Sequence, residues 1–203
     1  DVVRSRGLGD VYKRQLHRGD DQPRTGLKTC AIGPVTFEGC RVPAADRIGP
    51  EGAGAQIFLS AMPWERIGIM AMALGTMESQ LEVARRHART RRPDGTPISR
   101  HQAVSHRIAG MKVRLESSRL LVYQAAWMKS AGKMAGLQAA MAKLAASEAF
   151  VDSALDTLRV LGAEGLRTEN DAERQLRDAV CSLVYSGTSD IQRSLIAGMM
   201  GVR

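Results

Sequence analysis

The sequence predicts an all-α fold, an antiparallel four-helix bundle with a short extra helix, preceded by a remnant of a β-domain. Three observations support this prediction. Ala, Leu and Met are abundant, whereas aromatic residues make up only 4% of the 203 residues, and this balance favours helices over sheets. Breakers rich in Gly and Pro separate the long segments. Within those segments, apolar residues recur at the spacing of one helix face.

The chain divides into three regions. Residues 1–15 resemble a translated adaptor tail that is found fused to unrelated sequences, and we exclude them from the fold prediction. Residues 16–50 contain turn residues and short β-favouring pieces at Ile32 and at positions 35–37, so we expect one or two strands of a sheet whose other strands are absent. Residues 51–203 form the predicted helical domain. The sequence does not begin with Met, and we expect it to be a fragment.

Pro63 marks the expected start of the first long helix, because a proline at the first helical position lacks an N–H that would have no partner there. This helix is predicted to run to about Arg92, where the breaker cluster at 93–97 begins. A second helix is predicted from about Ser99 to Ser130. Its expected buried face consists of Val104, Ile108, Met111, Leu115, Val122 and Ala126.

The third helix has the clearest apolar stripe, which predicts a buried face that packs at a shallow crossing angle. The stripe consists of Leu137, Met141, Leu144, Val151, Leu155 and Leu158. Glu148 interrupts it, and either reaches water at the edge or is a buried carboxylate that needs a cationic or hydrogen-bonding partner. Gly162 and Gly165 are expected to end this helix. A short helix over 171–184 and a last helix from about Ser189 complete the bundle.

The formal net charge of +8 suits nucleic acid, a membrane face or an anionic cofactor. Five arginines close the first long helix, where they complement the helix dipole or bind phosphate. They are Arg85, Arg86, Arg89, Arg91 and Arg92. No apolar run is long enough to span a bilayer, and aromatic residues for stacking on bases are scarce. We therefore expect neither a membrane nor nucleic acid as a partner.

The three cysteines, Cys30, Cys40 and Cys181, show no metal-ligand spacing. An odd number of cysteines without a signal peptide predicts reduced thiols in a cytoplasmic protein. No metal site is expected.

Two short motifs gain meaning from their combination. Alone, Glu65-Arg66 would be a solvated pair of surface charges, and residues 187–190 would be a helix start whose hydroxyls satisfy free N–H groups. Together with the landmarks around them, they make residues 26–203 resemble the C-terminal helical domain of flavin-dependent acyl-CoA dehydrogenases. In order, the landmarks are Arg41-Val42-Pro43 with Gly49, Glu51, Gly52 and Gly54; Trp64-Glu65-Arg66; Arg89-Thr90-Arg91 with Gly95 and Pro97-Ile98; Gln102-Ala103-Val104; Arg177-Asp178-Ala179; and residues 187–193.

The resemblance implies a reaction and a base. Such enzymes oxidise the Cα–Cβ bond of an acyl thioester, with a carboxylate that removes the α-proton while a hydride passes to FAD. Many members carry that carboxylate directly before Gly-Thr, where this chain has Ser186. A minority carry it on an earlier helix, where this chain has Glu65, so Glu65 is implied as a buried base that faces the turn around Gly187. The backbone N–H of Ser186 is implied as a donor to the thioester carbonyl.

The resemblance also implies cofactor and substrate contacts. Those to FAD are implied for Arg91, Gln102, Arg159, Gly162, Thr188 and Asp190, and those to substrate for Arg66, Tyr185 and Gly187. Three residues depart from the family pattern. Asp94 stands where an aromatic residue is usual, Arg159 replaces a Gln, and Ala163 replaces the second Gly of a pair that lets the backbone approach FAD. These departures predict an altered FAD affinity or a displaced loop.

The implied partners are an acyl thioester, carried on CoA or on a carrier protein, and an electron acceptor such as an electron-transfer flavoprotein. Segments 62–66 and 185–188 most resemble members that act on carrier-bound thioesters. A homodimer or homotetramer is implied as well. The absent Glu at position 186 and the three departures motivate a different hypothesis, a helical module that oligomerises and catalyses nothing.

Overall fold

The structure, a computed structural model, describes residues 15–202 and contains five α-helices in that range. They are α1 (Gly54–Thr90), α2 (Gln102–Ser130), α3 (Gly136–Leu161), α4 (Asp171–Cys181) and α5 (Ser189–Met199). Two short strands, β1 (Leu16–Arg18) and β2 (Val35–Phe37), precede them. The prediction of an all-α fold behind a small β remnant is confirmed, with three long helices and two short ones.

The two strands form an antiparallel pair. β2 lies where the sequence predicts a strand, whereas Ile32 lies outside both strands. The Ile32 N–H donates to Asp21 Oδ1 over 2.7 Å, and the Ile32 carbonyl accepts from the Gln22 N–H at 2.8 Å, so only one of its two backbone groups pairs with the neighbouring backbone. The predicted tail falls almost wholly on residues 1–14, which lie outside the described residues. The domain boundaries after residues 15 and 50 stay predictions.

α3 lies at the centre of the bundle and packs on the other four helices. α1 and α2 are antiparallel, because the end of α1 at Ala88 shares a core cluster with the start of α2 at Val104. Further back along α1, Glu78 pairs with Arg119, further along α2, at 3.4 Å. The main core fills the space between α1, α2 and α3, and a smaller cluster around Met111 fills the end where α1 meets α2.

The buried face of α3 differs from the predicted stripe. The most deeply buried apolar positions, at most 1% exposed, carry alanine: Ala139, Ala140, Ala142, Ala146 and Ala154. The half-buried flanks carry Leu137, Leu144, Val151, Leu155 and Leu158, and Met141 is exposed. Alanine lets neighbouring helices approach α3 closely. A stripe drawn through the large apolar residues therefore marks the flanks of the contact and misses its centre.

Glu148 is an edge residue with a partner. Its side chain is 43% exposed, and its Oε1 pairs with Arg193 of α5. The carboxylate therefore reaches water, as expected for a residue at the edge of the stripe. It also pairs with a cation on a facing helix, as expected for a buried carboxylate.

α1 begins at Gly54, well before Pro63, so the prediction that Pro63 starts this helix is wrong. A proline inside a helix removes one backbone hydrogen bond, because it lacks the N–H. The carbonyl that would have accepted this bond belongs to Leu59, which is exposed (65%). Water can satisfy an exposed carbonyl, and this lowers the cost of a proline at that point.

α1 is also the one helix among residues 15–202 that is long and apolar enough to cross a membrane by length and composition. The prediction that no apolar run reaches this length is therefore wrong by that criterion. One face of α1 packs on α2 and α3. Because a core helix passes the same test, the finding is weak evidence for a membrane span.

Candidate active site

A tight turn joins α4 to α5 and carries two successive residues with positive φ. Ser186 has a φ of 53° and Gly187 a φ of 92°, and a non-glycine residue adopts such a conformation at a cost of about 1–3 kcal/mol. A Cβ at position 187 would also lie 2.6 Å from Gln192 Nε2, so a larger residue there would displace that amide. Thr188 then caps α5, since its Oγ1 accepts the Ile191 N–H at 3.2 Å. The local sequence thus dictates a strained and well-defined turn.

α1 brings Glu65 to this turn. The Ser186 hydroxyl donates to Glu65 Oε1 over 2.6 Å, so the predicted carboxylate does face the turn around Gly187. The expected burial is wrong, because Glu65 is exposed. Its neighbour Trp64 is exposed as well (53%), so this side of α1 is uncovered in the described part of the chain.

The backbone of Ser186 presents one satisfied acceptor and one free donor. Its carbonyl accepts from Arg66 Nε at 3.3 Å and from Gln192 Nε2 at 3.1 Å. Its N–H makes no hydrogen bond with any residue in 15–202. A fixed donor beside a carboxylate suits a carbonyl oxygen that gains negative charge while a neighbouring proton is removed. The predicted role of this N–H is therefore geometrically open.

Arg66 is buried and contacts the turn. The residue is only 8% exposed, and its Nε holds the Ser186 carbonyl. Burial lowers the pKa of the Arg66 guanidinium, and the adjacent Glu65 partly opposes that shift. Arg66 therefore contacts the turn itself, and its predicted contact to substrate stays a prediction.

Lys143 of α3 is a second buried cation near Arg66. It is 0% exposed, and its Nζ has no hydrogen-bond partner among residues 15–202. Burial and then the charge of Arg66 lower the pKa of Lys143 to about 8, while Glu148 opposes the shift. An unpaired ammonium in the interior destabilises a fold, so packing alone does not account for this residue.

Tyr185 and Gly187, the other two predicted substrate contacts, differ in position. Gly187 lies in the turn itself. Tyr185 packs against the main core, and burial, followed by Cys181 and Asp178, raises the pKa of Tyr185 to about 12. Tyr185 therefore faces the core and α4, and Gly187 is the one of the two that lies at the candidate site.

The predicted FAD contacts fall into two groups. Thr188 and Asp190 lie at the turn. Arg91 follows α1, Gln102 opens α2 and Gly162 follows α3, and the smaller core cluster brings these three helix ends together. At a rise of about 1.5 Å per residue, Arg91 lies about 39 Å along α1 from the part of the helix that faces the turn. The two groups are therefore far apart within one chain.

The end of the bundle with Arg91 fits an anionic cofactor. Arg91 and Gln102 are exposed, and such donors pair with phosphate oxygens. Gly162 has a φ of 62° and a ψ of −140°, and a Cβ built there would meet no heavy atom within 4 Å, so a ligand can approach its backbone. Asp94, which departs from the family pattern, accepts the Thr96 N–H at 3.2 Å and shapes the loop after α1.

Arg159, the remaining predicted FAD contact, belongs to an arginine cluster around Asp156. Asp156 Oδ1 accepts from Arg107 at 2.8 Å and from Arg159 at 3.1 Å, and its Oδ2 pairs with Arg114. Burial raises the pKa of the Asp156 carboxyl, but the hydrogen bonds from the three arginines outweigh burial and hold this pKa below its usual range. The Arg159 side chain is 58% exposed, so part of its guanidinium stays available.

Sequence reasoning missed Gln192, Lys143 and Asp156. Gln192 reads as one more polar residue in the first turn of a helix, and nothing in the spacing marks it as buried. Lys143 does carry a signal, because it lies four residues after Ala139 and three before Ala146, on the face that alanine occupies. Asp156 carries none, since two of its three arginines come from another helix.

Comparison with known proteins identifies the family. A family model described as the C-terminal domain of acyl-CoA dehydrogenase matches residues 52–201. The L-prolyl-[peptidyl-carrier protein] dehydrogenase of Pseudomonas fluorescens is 48% identical over 171 residues, which cover 84% of this chain and 45% of that protein. The mitochondrial short-chain specific acyl-CoA dehydrogenase of Rattus norvegicus is 38% identical over 183 residues, which cover 90% of this chain and 44% of that protein.

A solved structure agrees in fold. The structure described as PigA with FAD and proline matches with a TM-score of 0.90 at 36% identity, over 93% of this chain and 49% of that chain. The chain spans about half the length of the curated relatives it matches. Because the family model covers most of its residues, this chain belongs to the acyl-CoA dehydrogenase family and carries that family's C-terminal domain.

Proposed function

We propose that this chain supplies the C-terminal half of a flavin-dependent oxidoreductase that acts on the Cα–Cβ bond of an acyl thioester. The observation that carries the proposal is the position of Glu65 beside Ser186, whose N–H donates to no other group in residues 15–202. A base next to a fixed hydrogen-bond donor is what removal of a proton next to a thioester carbonyl requires.

Glu65 has the role of general base in this proposal. Its carboxylate takes the proton from Cα, and the electron pair of that C–H bond forms the Cα=Cβ double bond as a hydride leaves Cβ. FAD, when bound, accepts the hydride. The Ser186 N–H donates to the thioester oxygen, where negative charge develops. A donor that is already aimed lowers the barrier because it needs no reorganisation during the reaction.

The exposure of Glu65 has a consequence for the rest of the site. A carboxylate in water is a weak base for a thioester α-proton, and burial makes a carboxylate more basic. The curated relatives are about twice as long as this chain. We infer that their additional N-terminal part, together with the substrate, covers the side of α1 that carries Trp64 and Glu65.

We infer that FAD lies between two copies of the domain. The candidate residues at one end of the bundle are Arg91, Gln102, Arg159 and Gly162. Those at the other end are Thr188 and Asp190. The two ends are about 39 Å apart along α1, which is longer than one flavin nucleotide. One FAD therefore meets both sets only if they come from different subunits, and a homodimer or homotetramer follows.

The acyl group is proposed to be carried on a carrier protein instead of CoA. By its name, the relative that is 48% identical acts on an L-prolyl group of a peptidyl-carrier protein. The less similar rat relative is named for short-chain acyl-CoA. An electron-transfer flavoprotein is the proposed acceptor, and the cytoplasm is the proposed location.

The test uses a hybrid enzyme in which residues 26–203 of this chain replace the matching part of the Pseudomonas fluorescens dehydrogenase. Glu65→Gln is expected to lower the single-turnover rate of flavin reduction about 10²–10⁴-fold, the typical contribution of a general base. Glu78→Gln is the matched control, because Glu78 is an exposed carboxylate on the same helix (68%). Equal flavin bleaching by Glu65→Gln and the unaltered hybrid would reject Glu65 as the base.

The same assay decides the substrate class. The hybrid enzyme is mixed with matched L-prolyl thioesters of CoA and of a pantetheinylated carrier protein. The rates at which the two thioesters reduce its bound flavin are compared. Faster reduction by the carrier-bound thioester is expected. Faster reduction by the CoA thioester would assign the chain to the acyl-CoA branch.

A helical module that only oligomerises is the second candidate function. The observation that favours it is Arg159, whose guanidinium is already bonded to Asp156 at 3.1 Å where the proposal needs a cofactor contact. Its test is the colour of the purified hybrid. A hybrid that assembles but shows no flavin absorption supports this second function.

A further inference from the structure

We propose that Gln192 is a positioning residue that holds the turn at Ser186 and Gly187 and thereby aims the Ser186 N–H at the thioester oxygen. The proposal rests on the proposed function, because it explains how the donor is kept in place. The side chain of Gln192 bonds the backbone of the turn and makes no hydrogen bond with Glu65, so we expect its effect to pass through the shape of the backbone.

Gln192 bonds both carbonyls of the turn. It is 0% exposed, and its Nε2 donates to the Ser186 carbonyl at 3.1 Å and to the Gly187 carbonyl at 3.0 Å. Both acceptors are carbonyl oxygens, so only the NH₂ end of the amide can face them. One side chain therefore fixes two successive peptide groups.

The turn needs such a restraint because its ends are anchored and its middle is strained. On one side, the Tyr185 N–H donates to the Cys181 carbonyl at 3.2 Å, and on the other the Gln192 N–H donates to the Thr188 carbonyl at 2.9 Å. Between these anchors lie the two residues with positive φ. A strained backbone persists only where its surroundings hold it, and the direction of the free N–H depends on that backbone.

Gln192 also carries a cost that packing does not explain. Its Oε1 is buried and has no hydrogen-bond partner among residues 15–202. A buried polar atom without a partner destabilises a fold. The amide is therefore poorly suited to stability alone, whereas both of its N–H bonds serve the turn. Gly187 completes the arrangement, because a Cβ there would strike the same Nε2 at 2.6 Å.

The chain offers a matched control in Gln80. Gln80 is a glutamine of α1 that is 1% exposed, and neither its Nε2 nor its Oε1 has a partner among the described residues. Gln80→Met and Gln192→Met each replace a buried amide, but only Gln192→Met removes hydrogen bonds to other residues among 15–202. They differ in whether the amide holds the candidate active site.

The experiment compares both variants in the hybrid enzyme. Gln192→Met is expected to lower kcat and kcat/KM together, about 10–100-fold, with KM unchanged, as removal of an interaction specific to the transition state does. Gln80→Met should leave both constants unchanged. Gln192→Glu keeps the shape but offers at most the one O–H of a protonated carboxyl in place of two N–H donors, so it should also lower kcat. Wild-type kcat in either Gln192 variant would overturn the proposal.

Two further readouts separate the possible failures. If the unaltered hybrid does not reduce its flavin, the proposed function fails, and the test moves to hydrogen exchange in the 203-residue chain. There the amides of residues 185–188 should exchange faster in Gln192→Met than in Gln80→Met, and equal exchange overturns the positioning role. If both Gln192 variants fail to fold while Gln80→Met folds, Gln192 is a structural residue and the proposal is also overturned.

Discussion

Two regions of α3 carry buried charge in opposite states. Near the end of the helix, three arginines surround Asp156, and the buried carboxylate is fully paired. In its first half, Lys143 lies buried near Arg66, and neither cation pairs with a carboxylate in the described range 15–202. A paired carboxylate is what a stable interior requires, and an unpaired cation is what it excludes.

We infer that the paired cluster around Asp156 stabilises the fold, whereas the buried and unpaired Lys143 lowers its stability. A fold built for stability alone would carry an apolar residue at position 143. Arg66 holds the Ser186 carbonyl of the turn, and Lys143 lies close enough to Arg66 for the two charges to interact. In the proposed reaction, negative charge develops on a thioester oxygen at this turn. Buried positive charge stabilises such an oxygen. Departures from good packing that cluster at one place are typical of functional sites.

Replacement of Asp156 should have the largest effect on stability. Asp156→Asn is expected to lower the free energy of unfolding of the chain by about 3 kcal/mol, because the arginines lose their counter-charge in a partly buried setting. Asp152→Asn is the matched control, since Asp152 lies on the same helix and is exposed. Urea unfolding measures both. A loss of stability no larger than that of the control would show that the cluster does not hold the fold.

The contribution of the Asp156 carboxyl to the stability of the unaltered chain should decrease at acid pH. The pKa of Asp156 is lowered in the folded state, so its contribution is present above the unfolded pKa, near 3.9, and is lost as the pH falls through the folded value. The stability difference between the unaltered chain and Asp156→Asn should therefore shrink below about pH 4.

Replacement of Lys143 should change stability in the other direction. Lys143→Met is expected to raise the free energy of unfolding by about 2 kcal/mol at pH 7, because it removes a buried and unpaired ammonium. Lys112→Met is the control, since Lys112 is exposed (58%) and pairs with Glu116 one turn away. In the hybrid enzyme, the same Lys143 variant should reduce flavin more slowly. If the Lys143 variant is more stable and reduces flavin as fast as the unaltered hybrid, Lys143 has no role in the reaction.

The pH dependence of the free energy of unfolding is a second test of the effect of Lys143 on stability. The pKa of Lys143 is about 8 in the folded chain, below its value of about 10.4 when unfolded. The unfolded chain therefore binds more protons between these two values, and stability rises with pH there. The advantage of Lys143→Met should accordingly shrink from pH 8 towards pH 10.

Sequence reasoning located the helices better than their contacts. The end of α3 and the start of α5 are where Gly162 and Ser189 predicted them, because breakers and caps act locally. The start of α1 was missed, since an exposed carbonyl makes an interior Pro63 tolerable. The buried face of α3 was misjudged because alanines such as Ala146, which make the closest contacts, do not stand out in a count of large apolar residues.

The candidate site was predictable only in part. Glu65 was found because the resemblance named its position, and the fold brings it to the turn. Its exposure could not be inferred, since it depends on what else covers α1. The support from Gln192 was not predictable, because it arises from the packing of α5 against the turn, which no local pattern encodes. The burial of Lys143 could have been inferred from its spacing to Ala139 and Ala146, but its position near Arg66 could not.

The smallest predicted effect concerns the hydroxyl that links the two halves of the site. Ser186 Oγ donates to Glu65 Oε1 over 2.6 Å, whereas the backbone N–H of the same residue is the proposed donor to substrate. Ser186→Ala removes the hydroxyl and keeps the N–H. Loss of one hydrogen bond that orients the base should slow flavin reduction in the hybrid about 3–10-fold, in line with about 0.5–1.5 kcal/mol.

This variant separates the role of the side chain from that of the backbone at one residue. A loss for Ser186→Ala as large as that for Glu65→Gln would mean that the hydroxyl takes part in proton transfer, and the assignment of the base to Glu65 alone would be wrong. The small loss of rate in Ser186→Ala should stay the same when Gln80→Met is added and should become larger when Gln192→Met is added. That result would indicate that the backbone of the turn carries the donor and that the buried amide of Gln192 controls it.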